Sequence, residues 1–504
     1  MQRFPHGTPV YRTEEVRRIE ALAVAQPDPP RLMERAGLAA AALARDLSAG
    51  SGKQVVILAG PGNNGGDALV LARHLKRWWF DVAVMFTGEA GKLSADAAEA
   101  FHEWRAAGGE VTSELPRTRD PGLVVDGLFG IGLKRELTGR YAELVGWISA
   151  ANAPVLALDV PSGLESDSGQ VLGCAVRASH TMTFIGLKTG LLTLDGPDHA
   201  GVLHLATLEL DTTALVPPRG SVIGEDVLRR ALPPRSLNSH KGSFGSVGII
   251  GGAQGMVGAA LLAGRAALKL GAGRVYAGLV DENGVAVDPV QPELMLRRAD
   301  EILGLDHLTC LAVGPGLGLS ESARGLLQAA LESRLPLVID ADGLNLLSGH
   351  DALRSWLAAR NAPALLTPHP TEAARLLGIA TAAVQRDRVS AATKLAENYR
   401  CSVVLKGAGS ICAWPDGTWA VNTTGNPGMA SAGMGDVLTG MLAALISQGV
   451  APEAALAAGV YLHGAAADAA VASGCGPVGL TASEVIDAAR ALMNFSTAPR
   501  RDRP

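Results

Sequence analysis

Aromatic residues are scarce in this chain: Phe, Trp and Tyr make up 4% of its 504 residues. Base stacking on aromatic platforms is therefore excluded as a main mode of binding. Charge is sparse too. Asp, Glu, Lys and Arg account for 18%, and 44 basic residues against 49 acidic ones leave a net charge of −5, so there is no basic footprint for nucleic acid or anionic lipid. The five cysteines, Cys174, Cys310, Cys401, Cys412 and Cys475, are scattered and form no Cys-x-x-Cys pair. That argues against a zinc ribbon or a disulfide framework and fits free thiols in a reducing compartment. No Gly-x-x-x-x-Gly-Lys-Ser/Thr sequence occurs, which excludes a P-loop. The opening MQRFPHGTP lacks the apolar segment of a secretory signal. The apolar stretch 437–452 contains Gly440 and Gly449 and falls short of the ~20 residues of a membrane span. A cytoplasmic protein is expected, with neither nucleic acid nor membrane as partner.

What is abundant is apolar material (48%) and glycine (61 residues), enough for large cores and many close backbone approaches. Short aliphatic runs alternate with Ala-rich helical runs. Residues 54–59 (QVVILA), 82–87, 123–126, 155–160, 181–185 and 202–208 read as strands, with helices at 67–79 and 93–107. Near-continuous apolar strands separated by helices mean a parallel, doubly wound sheet. The Pro- and Gly-containing stretch 211–221 (DTTALVPPRGS) marks a boundary. A second β/α series follows, with strands at 246–250, 274–279, 308–313, 336–339 and 402–405, a nearly uncharged helical stretch at 437–472 and a frayed tail at 496–504. The fold class is α/β with two domains, 1–215 and 222–498. The Ala-rich, little-charged second domain leads to an expectation of homo-oligomers. Trp78 and Trp79 read as helix packing.

In the first domain, strand 54–59 runs into Gly60-Pro-Gly-Asn-Asn-Gly-Gly-Asp67. The Gly-x-Gly-x-x-Gly letters suit a phosphate-accepting turn at a helix start. The acidic residue that a dinucleotide fold needs at the end of the next strand is missing. Asn63 and Asn64 offer carbonyl oxygens and tolerate left-handed backbone. Strand ends also deliver Asp126 and, in Asp159-Val-Pro-Ser-Gly163, Asp159 and Ser162. Ligands collect beyond the carboxyl ends of strands in open α/β sheets, and an all-oxygen set suits a hard cation. Taken singly, Asp126 or Asp159 reads equally well as a turn or helix cap.

In the second domain, Asn426-Pro-Gly-Met-Ala-Ser-Ala-Gly-Met-Gly-Asp436 leads into an apolar helix. Small residues at a helix start expose N–H groups to an anion, and an Asp beside them can take a proton from a hydroxyl. The plainer reading of Asp436 is a helix cap. Lys406-Gly-Ala-Gly-Ser410 offers a turn with one cation for a nucleotide. Asp340 and Asp342 end a strand where Mg²⁺ with phosphate would lie, and His369 and Glu372 share a turn.

GPGNNGGDALV, VDGLFGIGL and LDVPSG together resemble the epimerase domain of NAD(P)H-hydrate repair enzymes. HKGSFGSV, GPGLG, DADGLN, TPHPTE, KGAGS and GNPGMASAGMGDVLTG, in that order, resemble the ribokinase-like dehydratase domain of the same family. The resemblance implies K⁺ held by Asn64, Asp126 and Ser162. It places the hydrated nicotinamide nucleotide (NADHX or NADPHX) against Asn63, Asn64, Gly65, Gly66, Asp67, Gly130, Ile131, Gly132, Leu133, Lys134, Arg135, Glu136 and Asp159. Asp159 is then the acid/base, with Lys188 a cationic partner. In the second domain it implies contacts of Ala253, Gly316, His369 and Asp436 with the hydrate. Lys406, Gly407, Ala408, Gly409, Ser410 and Gly435 are implied to contact the adenine nucleotide, with ADP as co-substrate, Mg²⁺ present and Asp436 as base. Three positions depart from the family pattern. Ala68 stands where Gly is usual, and Ala432 and Met434 replace a Gly and a Ser/Thr of the anion loop. An alcohol kinase and a non-catalytic nucleotide sensor are the competing readings.

Overall fold

A computed structural model describes residues 4–115, 120–232 and 235–497. The described residues divide into two compact units, one within 9–220, the other of 4–8 and 221–497. The division falls within the 211–221 stretch. That 4–8 joins the later unit has no sequence signal. It is fixed by backbone bonds such as Gly7 N–H to Val222 O, 3.0 Å.

The first unit holds six parallel strands in the spatial order Val82–Phe86, Val55–Ala59, Leu123–Gly127, Val155–Leu158, His180–Phe184, Val202–Ala206. Alternate residues serve opposite faces. Val55, Ile57 and Ala59 join one apolar layer with Val125 and Leu158, whereas Val56 and Leu58 join the other with Val124 and Ala157. Burial on both faces explains why these strands read as unbroken apolar runs.

The helix after strand Val55–Ala59 spans Asn63–Arg77, four residues earlier than the pattern suggested. Gly62 is extended (φ −110°, ψ −165°) and acts as its cap, so the Asn pair lies in the first turn and not in a left-handed loop. The helix stops at Trp78. Trp79 turns left-handed (φ 65°) and is 95% exposed, which corrects its reading as packing. Trp78 does pack, against His74 and beneath Arg45.

In the second unit, strands Met295–Arg298, Arg274–Leu279, Ser246–Gly251, Cys310–Val313, Leu337–Ile339, Ala364–Leu366 and Ser402–Leu405 lie side by side and parallel. An antiparallel pair, Ser410–Ala413 and Trp419–Asn422, extends them. Met295–Arg298, Ala364–Leu366 and the antiparallel pair are short and were missed in the pattern. The nearly uncharged stretch 437–472 is helical, as two helices, Met434–Ser447 and Pro452–Ala472. Gly449 at φ 89° turns the chain, and Pro452 starts the next helix where its missing N–H costs nothing. By length and composition Pro452–Ala472 would cross a membrane, but 78% of its apolar window is buried inside the unit, as a core helix. Of the expected tail, Ser496 and Thr497 end the helix Ala482–Thr497, and 498–504 lie outside the described residues.

Candidate functional site

In the first unit, parallel strands carry their following loops to one edge of the sheet. There a cavity of about 530 Å³ is lined by Asn63, Asn64, Asp67, Gly130, Ile131, Gly132, Leu133, Asp159 and Lys188, with Glu20 and Arg17 from an early helix. Asp126, buried at the end of its strand, accepts from Ser162 Oγ (2.6 Å), Ser162 N (2.8 Å) and Leu128 N (3.3 Å). Burial raises its carboxyl to about 6 despite those bonds.

Asn64 is buried, yet neither its Oδ1 nor its Nδ2 has a partner. An orphaned amide in a protein interior costs free energy unless a ligand completes it. Asn64 lines the cavity, whereas Asp126 and Ser162 are buried, bonded to one another and not among its lining residues. Gly130 makes the arrangement possible, because a Cβ there would lie 2.7 Å from Asp159 Oδ2 and 3.4 Å from Asn64 Cγ.

Asp159 adopts φ 64°, a strained choice for a residue with a Cβ and one that clusters at functional sites. Its Oδ2 accepts from Ile131 N (3.1 Å) and its Oδ1 from Lys188 Nζ (2.5 Å). Lys188 is fully buried and also donates to Thr183 Oγ1 (2.9 Å) and Phe184 O (2.6 Å). Burial, then the charges of Asp159 and Glu20, push the Asp67 carboxyl well above its ordinary range. Glu20 is raised by burial and by Asp159.

Other named residues are placed differently. Gly65 and Gly66 are buried in the first helical turn. Gly65 sits against the Gly60 carbonyl and Gly66 against Met33, so both serve close packing. Lys134, Arg135 and Glu136 are exposed and are not among the cavity's lining residues. The Ala68 methyl faces the sheet, 2.5 Å from where a Gly127 Cβ would be. Glu20 and Thr183 carried no motif; only the folded chain reveals them.

In the second unit, five parallel strands likewise end at one edge, bringing Ala253, the 314–318 turn, Asp340, Thr367 and Lys406 together. Lys406 Nζ donates to Asp340 Oδ1 (2.9 Å) and Thr439 Oγ1 to Asp340 Oδ2 (2.9 Å). Asp340 stays below its ordinary carboxylate range: its burial is outweighed by Lys406 and by bonds from Thr367 and Thr439. Lys406, although burial opposes its charge, is held above its ordinary value by Asp340, Glu372 and Asp436. The loop's cation thus points at the carboxylates, because a buried charge needs a counter-ion.

Helix Met434–Ser447 is capped by Gly433 at φ 87°, not by Asp436. Its first intrahelical bond is Val437 N–H to Gly433 O (3.0 Å), so the N–H groups of Met434, Gly435 and Asp436 are left for an anion. Gly435 lies beside the charged pair: a Cβ would be 3.2 Å from Lys406 Nζ and 3.3 Å from Asp340 Oδ2. Met434 points into the core, so a hydroxyl is missing from a side chain that does not line the loop. Burial, then Asp340, raise Asp436 to about 6.

His369 caps helix Pro370–Leu377. Its Nδ1 accepts from Thr371 N (3.1 Å) and Glu372 N (3.4 Å), and burial holds it below its usual value. Glu372 is pushed up to about 7 by burial against the pull of Lys406. Gly316 and Ala253 meet through Ala253 N–H to Gly316 O (2.6 Å). Among the described residues no group of three His, Cys, Asp or Glu is poised for a metal. Asp340 is occupied as above, and Asp342 accepts from Gly318 N (2.9 Å) and Asn345 Nδ2 (3.4 Å).

A strained carboxylate and an orphaned amide in a cavity of one α/β unit, and open N–H groups beside a raised carboxylate in the other, define an enzyme with two separate sites. A bifunctional NAD(P)H-hydrate repair enzyme of Coxiella burnetii is 40% identical over 97% of this chain and 100% of its own length. The counterpart of Escherichia coli K12 is 37% identical over 92% and 89%. The chain belongs to this family of bifunctional NAD(P)H-hydrate repair enzymes. Residues 30–190 match the family described as YjeF-related protein N-terminus, and 247–489 the one described as NAD(P)H-hydrate dehydratase. A solved Bacillus subtilis ADP/ATP-dependent NAD(P)H-hydrate dehydratase, co-crystallised with ATP/Mg²⁺, is 32% identical, covering 53% of this chain and 96% of its own, with a TM-score of 0.48.

Proposed function

We propose that the chain repairs hydrated NADH and NADPH: the first unit interconverts the R and S hydrates, and the second removes water from the S form with ADP as phosphoryl donor. The single observation that carries the reading is the pairing of two carboxylate sites with family membership over the whole length.

C6 of the hydrate bears both a hydroxyl and the ring nitrogen. Loss of that hydroxyl as water leaves a cation shared by N1 and C6, and water returning to the opposite face inverts the centre. Asp159, ion-paired with Lys188, exchanges the proton with the C6 oxygen. Asp67, its carboxyl pushed well above the ordinary range by burial and by the neighbouring Asp159 and Glu20, is the candidate acid beside it. A cavity with Glu20, Asp67 and Asp159 suits a cationic intermediate. Asn64, Asp126 and Ser162 would hold K⁺, which contributes a fixed positive charge for the anionic groups of the substrate.

In the second unit Asp436 takes the proton of the C6 hydroxyl as that oxygen attacks the terminal phosphorus of ADP. AMP leaves, the open N–H groups of Met434, Gly435 and Asp436 receive the transferring phosphoryl group, and Lys406 adds its charge. The C6–O bond then breaks with loss of a C5 proton, giving inorganic phosphate and the dihydronicotinamide. Mg²⁺ would arrive on the phosphates of ADP and neutralise their charge. An alcohol kinase would use the same groups but would release a stable phosphoester. The test is to supply NADHX with ADP and follow dihydronicotinamide absorbance together with AMP and phosphate. Recovery with equal AMP supports repair; a persistent phosphoester supports the kinase.

A further inference from the structure

Arg388 belongs to no motif. It lies in helix Arg388–Tyr399 and is 3% exposed. Its guanidinium donates to Leu405 O (3.3 Å), Lys406 O (3.3 Å), Gly409 O (3.4 Å) and Gln385 Oε1 (2.8 Å), while Nε has no partner. Among the described residues no carboxylate pairs with it. Burial, unopposed by any neighbouring charge, lowers it to about 10. A buried cation served only by neutral acceptors is costly, so something must offset it.

Of the three backbone carbonyls, that of Leu405 ends strand Ser402–Leu405 and those of Lys406 and Gly409 belong to the turn after it. Gly407 (φ 142°) and Gly409 (φ 62°) let that turn lie flat on the guanidinium: a Cβ on Gly407 would sit 2.9 Å from both Nη atoms. With its carbonyls tied down, the N–H groups of Gly407, Ala408 and Gly409 take no backbone acceptor among the described residues. A turn with carbonyls inward and N–H groups outward is an anion-binding concavity.

We infer that Arg388 is a positioning residue for nucleotide binding: it holds the 406–410 turn with its N–H groups open and lends them its uncompensated positive charge, so that a nucleoside diphosphate supplies the missing counter-charge. This rests on the reading above that the 406–410 turn receives the nucleotide.

The test uses the full chain with Arg388→Met and Arg388→Lys. For Arg388→Met the KM for ADP should rise about tenfold or more, while kcat, the KM for the S hydrate and epimer exchange stay within about twofold. Arg388→Lys, which keeps the charge but not the fork, should recover part of the loss. Direct binding should weaken in the order ADP, AMP, adenosine, with adenosine least affected, a gradient that mere loop damage would not produce. Gly407→Ala is the second variant, since it lifts the turn off an intact Arg388; it should give the same ADP-selective loss and add little to Arg388→Met. An unchanged KM for ADP, or equal losses for adenosine and ADP, overturns the inference. Hydrogen exchange of the wild type separates the two claims. If ADP fails to protect residues 407–410, the location of the nucleotide is wrong. If it protects them and Arg388→Met still binds ADP normally, only the role of Arg388 is wrong.

Discussion

Replacing Asp436 with Asn should stabilise the second unit while abolishing dehydration. Burial and Asp340 raise this carboxyl from 3.8 to about 6, so the folded chain disfavours its charge relative to the unfolded chain. Two pKa units correspond to roughly 3 kcal/mol. Asp436 is partly exposed, and the Asn amide must itself be desolvated, so a gain of about 1–2 kcal/mol is the working figure. The sign is fixed by the direction of the shift. A raised carboxylate is a penalty fully present above about pH 6 that fades as pH falls towards 4, because the folded form takes up the proton first. Asp436→Asn should therefore outlast wild type at pH 8 and match it near pH 4. Two units make a single unfolding free energy ill defined, so the measurement is hydrogen exchange of the slowest amides in Met434–Ser447. A variant that is less stable at pH 8, or a gain independent of pH, would refute the electrostatic account. Retained dehydration would refute the base. Wild-type dehydration should itself fall as pH drops through about 6, where Asp436 gains its proton.

Lys188→Met leaves Asp159 buried without its partner and should cost the first unit about 3 kcal/mol; hydrogen exchange of the slowest amides in its strands checks this, and dehydration of the S hydrate should survive. Asn64→Ala should remove potassium stimulation of epimer exchange, read by comparing KCl with choline chloride; continued stimulation would place the cation elsewhere. Ala68→Gly should cost roughly 1 kcal/mol and leave the KM of the hydrate unchanged, because the methyl packs on the sheet at Gly127.

The parallel strands of the first unit were legible because burial on both faces writes them as apolar runs. Met295–Arg298, at 4 residues with two exposed arginines, offers no such run. Ala364–Leu366 has only 3 residues and hides before Thr-Pro-His-Pro. The family, the two-unit α/β fold and the repair chemistry were carried by spaced loop motifs, since backbone that approaches a ligand restricts residue choice. Residues acting from regular elements left no such trace. Glu20 reaches its cavity from helix Thr13–Val24, Thr439 reaches Asp340 from inside a buried helix, and Arg388 reaches its turn from 17 to 21 residues away. The helical start at Asn63 was missed because Gly62 caps it by backbone conformation, without a side chain to announce it.

The central claim is that one chain salvages both hydrates. Full-length protein given a mixture of R and S NADHX with ADP, sampled by chromatography that separates the epimers, tests it most directly. The account predicts that both epimers disappear and that dihydronicotinamide and AMP appear in equal amounts, whereas with Asp159→Asn the S form is consumed and the R form persists. A wild-type reaction that consumes only the S epimer, or that accumulates a phosphoester without dihydronicotinamide, would contradict it.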